Sequence, residues 1–176
     1  MEIIVVSGPS GAGKSTVARI LAGSRLSPAV HLHTDDFYAA IVQGFVAPYL
    51  PGAERQNEVV TGVIARAAAG YAAGGYHVVV DGVIGPWFLG AYREAAGAAG
   101  VGLEYVVLRP DRETALGRGT TRPGHPLTDR EVLGGIYDGF ADLGPYEENV
   151  LDSGGLTAEE TADAVLGRLR DRGLAH

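Results

Sequence analysis

Residues 8–16 read Gly8-Pro9-Ser10-Gly11-Ala12-Gly13-Lys14-Ser15-Thr16, a G-x-x-x-x-G-K-[ST] run, and nothing else in the chain restricts its fold so strongly. The apolar stretch from Glu2 to Val6 precedes it and reads as a buried strand; Thr16 to Ala22 follows and reads as a helix. Glycines here reach backbone angles closed to other residues, so that successive N–H groups turn inward around an anion. The helix that leaves the loop adds its unpaired N–H groups and the positive end of its dipole. On this geometry Gly8, Ser10, Gly11, Ala12, Gly13, Lys14, Ser15 and Thr16 surround a polyphosphate. Lys14 bridges the outer phosphates and the Ser15 hydroxyl ligates Mg²⁺.

Lys14 is the only lysine of the chain; all its other basic side chains, histidine aside, are arginine. A compact ammonium suits a point contact with phosphate, where a planar guanidinium is too large. The bland alternative is a glycine-rich turn with one exposed lysine.

Short apolar runs alternate with helical patterns along the rest of the chain, the mark of an α/β fold with helices on both faces of a parallel sheet. Strands are expected at Ile3 to Val6, Val30 to His33, His77 to Asp81, Leu103 to Arg109 and near Asn149 to Asp152, about five in all. The runs IIVV, VVV and YVVL are nearly continuous, as strands covered on both faces are. Helices are expected from Glu54 to Ala73, with Val59, Val63 and Ala67 on one stripe, and from Pro86 to Ala99, stopping at Gly100. Thr128-Asp129-Arg130-Glu131, with Leu127 and Val132 as a staple, and Thr157-Ala158-Glu159-Glu160 both read as capping boxes. The second opens a helix with Ala162, Val165, Leu166 and Leu169 inward and Gly173 beyond it. Gly44 to Gly52 and Gly119 to Pro126 lack regular pattern. At 176 residues, one domain over 1–176 is expected.

In such a sheet the carboxyl ends of the strands share one edge with the phosphate loop. Asp35 and Asp36 follow the second strand directly, where a carboxylate takes the proton of an attacking hydroxyl or holds Mg²⁺ through water. Aspartate also caps helices; Asp35 is assigned as base and Asp36 as cap or supporting partner. Asp81 closes an apolar strand ahead of Gly82, the form of a carboxylate that supports a metal, although Asp-Gly is also a turn pair. After the fourth strand, Arg112, Arg118 and Arg122 border a Gly-Pro-rich loop. A lid is expected over about 117–135, with Arg118 and Arg122 at i, i+4 neutralising charge on a transferred phosphoryl group and Arg112 equally well solvated.

The acceptor side reads as aromatic. Phe37, Tyr38, Phe45 and Tyr49 follow the second strand in a segment of about 36–58, and Trp87 and Phe88 follow the third. Tyr38, Phe45, Tyr49 and Trp87 are assigned with Asp35 to a neutral or weakly polar alcohol, and Phe88 to helix–sheet packing. His33 is a minor candidate for bonding the acceptor or the base, and His125 belongs to the lid.

A formal net charge of −7 without a basic run argues against a nucleic-acid surface. Without cysteine there are neither disulfides nor thiolate metal sites. No signal segment precedes the first strand and no apolar run approaches membrane-spanning length, so a cytoplasmic protein is expected.

These features together resemble a small P-loop kinase of the group that includes gluconate kinase, shikimate kinase, adenylate kinase and chloramphenicol phosphotransferase. The likeness spans essentially the whole chain: Gly8 to Ser15, Asp35, Asp81-Gly82, Arg118 and Arg122, and Asp152-Ser153-Gly154-Gly155-Leu156. It implies a three-layer P-loop NTPase fold with a small lid. It also implies ATP and Mg²⁺ as cofactors, Asp35 as catalytic base, Arg118 and Arg122 on ATP, and the Ser153 to Leu156 turn, Gly155 included, near the adenine. Shikimate kinases carry a glycine cluster where this chain has Asp81-Gly82-Val83, and adenylate kinases follow Asp-Gly with a Pro-Arg pair that it lacks. The expected activity is transfer of the γ-phosphate to a hydroxyl of a sugar acid, nucleoside or antibiotic-like molecule. The alternative is a nucleotide-binding switch acting through a partner, although no guanine-reading Asn-Lys-x-Asp run is present.

Overall fold

A computed structural model of the chain describes residues 1–121 and 127–171. Five parallel strands, β1 (Glu2–Ser7), β2 (Ala29–His33), β3 (His77–Asp81), β4 (Gly102–Leu108) and β5 (Val150–Leu151), stand in the order β2-β3-β1-β4-β5. Ile4 lies opposite Val79 on one side and Glu104 on the other, and His33 opposite Asp81. Because the pleat alternates, Ile3, Val5, Val78 and Val80 bury on one face, while Ile4, Val6, Val79 and Val106 bury on the other. Both faces are covered, which is why the strands read as unbroken apolar runs. Each such side chain contributes roughly 1.5–3 kcal/mol on burial.

The helices are α1 (Lys14–Ile20), α2 (Thr34–Ala39), α3 (Glu54–Ala73), α4 (Leu89–Ala99), α5 (Arg112–Thr120), α6 (Arg130–Asp138) and α7 (Ala158–Asp171). Residues of α3 and α4 share the core with one face of the sheet, and those of α1 and α7 with the other. The reciprocal Thr157–Glu160 box opens α7 as expected, Glu160 N–H donating to Thr157 Oγ1 and Thr157 N–H to Glu160 Oε2. Ala162, Val165, Leu166 and Leu169 are buried. Gly173 lies outside the described residues.

Several expectations are corrected. The buried stripe of α3 is Val60, Ile64, Ala68 and Ala72, one residue on from the expected one, and Val59 and Val63 are 47% and 42% exposed. Both stripes keep a four-residue spacing, so the spacing alone does not choose between them. α1 begins at Lys14 and runs into a π turn over Leu21–Arg25, and Pro86–Phe88 is a 3-10 turn ahead of α4. The cap of α6 is Asp129 rather than Thr128: its carboxylate accepts from the N–H groups of Glu131 and Val132, a stronger acceptor than a hydroxyl. Gly119 and Thr120 belong to α5, not to an irregular loop.

α5 and α6 form a hairpin pinned by Arg112 to Asp138 at 3.1 Å and by Arg130 to Glu113 at 2.6 Å. The expected lid takes in the last turn of α5 and the first residues of α6. Arg122 and His125 fall among residues 122–126, outside the described residues.

Candidate active site

The phosphate loop leaves β1 with Gly8, Gly11 and Gly13 all at positive φ, +137°, +83° and +88°. Two of them are also demanded by close approach. A Cβ on Gly8 would stand 2.1 Å from the carbonyl oxygen of Leu108 in β4, and one on Gly11 2.0 Å from that of Ala115 in α5. Gly13 is the left-handed N-cap of α1, and neither a side-chain cap nor an acidic residue sits in the first turn. That end is free to meet an anion. Ala12 is buried, Ser10 and Ser15 are half-buried and Thr16 is exposed. Lys14 is buried, and its Nζ donates to the carbonyl of Pro9 at 2.8 Å, which folds the ammonium back over the loop.

Asp81, fully buried at the end of β3, is the hub of the site. Ser15 Oγ donates to its Oδ2 at 2.6 Å. His31 Nε2 lies 2.5 Å from Oδ1, and His33 Nδ1 lies 3.0 and 3.1 Å from the two oxygens. Burial alone pushes the Asp81 carboxyl up, but hydrogen bonds from His31, His33 and Ser15, with the charge of His33, outweigh it. They hold the group well below the usual carboxylate range. The hydrogen bond of His33 to Asp35, then that to Asp81, likewise outweighs partial burial and holds its imidazole up at about 10. The other ring nitrogen, Nε2, stands 3.4 Å from Oδ2 of Asp35.

Asp35 and Asp36 both fall in the first turn of α2, whose N-cap is His33 with no side-chain cap bond. Asp36 is therefore not the cap, because the helix begins one residue before the acid pair. The Asp35 side chain is 65% exposed at the sheet edge that carries the phosphate loop. Gly82 makes this possible: a Cβ there would stand 2.2 Å from Thr34 Oγ1, so the start of α2 rests on the end of β3.

Tyr38 lies near Asp35 and donates through its hydroxyl to Asn57 Oδ1 at 3.1 Å; burial, then the charge of Asp35, pushes its phenol up to about 12. Phe37 lies instead roughly 160° around the helix from Asp35, and Ile41 follows the end of that helix. There they line an open apolar groove of about 400 Å³ with Val59, Val60 and Val63. Phe45 and Tyr49 are about half exposed on the segment between α2 and α3, which Gln56 and Asn57 tie down through Val46 and Pro48. Trp87 packs on Phe88 and Phe140, with 6.1 Å between centroids in each case, and is 62% exposed. Phe88 packs against the core.

Arg118 is exposed in the last turn of α5, the helix whose backbone abuts Gly11. Gly155 is exposed in the turn after β5, beside buried Ser153. Arg112 is paired with Asp138 and serves the hairpin. The sequence reading missed His31, although its i, i+2 spacing from His33 on a strand puts both rings on one face. Among the described residues, no group of three or more His, Asp or Glu is disposed to hold a metal. The pair present, a serine hydroxyl bonded to a buried carboxylate, is a hard-oxygen set. It fits Mg²⁺, which Ser15 and Asp81 would hold. The loop with its three positive-φ glycines likewise fits a nucleoside triphosphate.

The profile of the AAA domain family matches residues 3–140. A sugar kinase from Janibacter sp. HTCC2649 superposes with a TM-score of 0.72 at 21% identity, over 100% of this chain and 99% of that one. The tunicamycin resistance protein of Deinococcus radiodurans does so at 0.69 and 16%, over 96% and 95%. The APS kinase CysC of Mycobacterium tuberculosis, in complex with AMPPNP and APS, gives 0.64 and 19%, over 96% and 97%. No curated protein matches the sequence. No helix among the described residues is long and apolar enough to cross a membrane. A profile that spans most of the chain and neighbours that span nearly all of it agree with the glycine loop and the five-strand order: the chain belongs to the AAA domain family and has the fold of the small P-loop kinases.

Proposed function

We propose that the protein is an ATP- and Mg²⁺-dependent kinase that transfers the γ-phosphoryl group to a hydroxyl of a small molecule. The observation that carries this is the exposed Asp35 carboxylate, one imidazole away from Asp81 and hence from Ser15 on the phosphate loop. A switch that only binds nucleotide has no need of a solvent-facing acid there.

In this reading the loop N–H groups and Lys14 hold the polyphosphate, and Ser15 with Asp81 would hold Mg²⁺, which draws charge off the phosphate oxygens. Asp35 accepts the proton of the acceptor hydroxyl as its oxygen bonds to the γ-phosphorus. The bond from that phosphorus to the bridging oxygen breaks, and ADP leaves. Arg118, with Arg122, neutralises the equatorial oxygens from the lid. Gly155 borders the adenine. Tyr38, Phe45, Tyr49 and Trp87 form the wall for a neutral alcohol such as a sugar acid's hydroxyl face, a nucleoside or an antibiotic. A sugar kinase and a tunicamycin resistance protein among the structural neighbours lend support to that range. The partner is the soluble acceptor itself, in the cytoplasm, without nucleic acid or membrane.

The test is ADP release with Mg-ATP across a panel of sugar acids, nucleosides, amino alcohols and hydroxylated antibiotics. Stimulation by one compound that vanishes in Asp35→Ala, with ATP binding intact, is expected. Tight ATP binding with no stimulation by any acceptor favours the nucleotide switch.

A further inference from the structure

His33 closes β2 and is the N-cap of α2, so its side chain sits at the joint between the sheet and the acceptor segment. It stands in register with Asp81, and its two ring nitrogens meet two different carboxylates. Nδ1 is 3.0 Å from Asp81 Oδ1, and Nε2 is 3.4 Å from Asp35 Oδ2. Asp81 itself is held from further sides by His31 at 2.5 Å and Ser15 at 2.6 Å. The fixed end of the bridge is therefore the buried acid. The other end is an exposed acid on a helix of only six residues.

We propose that His33 is the positioning residue of the acceptor site: its rigid ring holds the Asp35 carboxylate at a set distance from Asp81, so that base and metal-side acid stay in register whichever acceptor is bound. The inference rests on the kinase reading. A five-membered ring with nitrogens on opposite sides suits this task, because it spans two carboxylates with only two torsions. An amide reaches one of them. Misplacing a reacting group by about 1 Å costs on the order of 10²-fold in rate. The effect belongs in kcat, since Asp35 does not hold ATP.

The test uses the full chain with the acceptor found in the panel. His33→Asn keeps a nitrogen near the Nδ1 position and the contact with Asp81, but gives up Asp35. His33→Gln keeps the Nε2 position and the contact with Asp35. The expected result is a kcat about 10²-fold lower in His33→Asn, with ATP affinity and melting temperature unchanged, and recovery of about tenfold of that loss in His33→Gln. A His33→Asn kcat within about threefold of wild type overturns the proposal. So does an equal fall in both variants accompanied by weaker ATP binding, which marks His33 as a support of the phosphate side alone. Should the wild type bind ATP and phosphorylate nothing, the kinase reading fails separately. Ring ¹⁵N–¹H correlations then judge the bridge: two exchange-protected N–H signals for His33, one lost in Asp35→Asn, sustain it, and signals indifferent to Asp35→Asn overturn it.

Discussion

The hydroxyl of Ser15 donates to Oδ2 of Asp81 across 2.6 Å, joining the first turn of α1 to the end of β3. The contact ties the phosphate grip to the one fully buried acid of the site. Asp81→Asn keeps the shape and removes the charge. It is expected to lower stability by about 1–3 kcal/mol, since three donors lose an ionised acceptor, and to raise the Mg²⁺ concentration needed for activity. Denaturant unfolding and an Mg²⁺ titration measure the two effects.

Gly11 and Gly13 share a left-handed backbone but not the same surroundings. A Cβ on Gly13 meets nothing within 4 Å, whereas one on Gly11 strikes the Ala115 carbonyl. Gly13→Ala is expected to lose about 1–2 kcal/mol from backbone strain alone. Gly11→Ala loses more, because α5 must shift off the loop. Chemical denaturation of both variants checks the order, and ATP affinity should fall further in Gly11→Ala.

The chain has one lysine, so its amines are Lys14 and the N-terminus. An acylating reagent is expected to modify Met1 readily and Lys14 slowly, since Lys14 is buried and bonded to Pro9. Saturating ATP should abolish the second product in the intact mass. Undiminished labelling of Lys14 would show that nucleotide does not cover it.

Arg112 and Arg118 lie on the same helix and differ in what they meet. Arg112 pairs with Asp138, while Arg118 is exposed in the last turn of the helix that abuts Gly11. Arg118→Ala is expected to lower kcat by about 10²-fold. Arg112→Ala should leave kcat within a few-fold and change stability by less than about 1 kcal/mol. Steady-state kinetics on the two variants separate these roles.

Glu147 pairs with Arg109 at 2.7 Å. The hydrogen bond from Arg109, then that from the Leu143 N–H, holds its carboxyl down at about 2. A depressed carboxyl contributes stability above its unfolded value near 4.5 that is lost as pH falls toward 2. The melting-temperature gap between wild type and Glu147→Gln should therefore be full at pH 6 and shrink between about pH 4.5 and 2. A gap that stays constant over that range would contradict the pairing.

The sheet was legible because both-face burial leaves unbroken runs such as Ile3 to Val6, and α3 because its ends are marked by an acidic start and a Gly74-Gly75 stop. The glycine loop was legible because its backbone angles restrict residue type. α2 was not, since six residues hold too little period to register, nor was the Asp129 cap, because the box pattern fits the Thr128 frame alone, with Val132 three residues after Asp129. Neither Ser15–Asp81 nor the double grip of His31 and His33 can be read from spacing. They depend on β2 lying beside β3 with His33 against Asp81, a pairing of residues 48 apart.

β2 occupies the outer margin of the sheet, with β3 as its one hydrogen-bonded neighbour. The segment between β2 and β3, which carries the proposed acceptor wall, thus hangs from a border rather than from the middle. Lengthening such a segment adds only about 0.6 kcal/mol of closure entropy per doubling, and it disturbs no pairing among β1, β3 and β4. On the kinase reading, a change of length between β2 and β3 is therefore expected to alter the choice of acceptor while leaving the phosphate loop beside β1 in place.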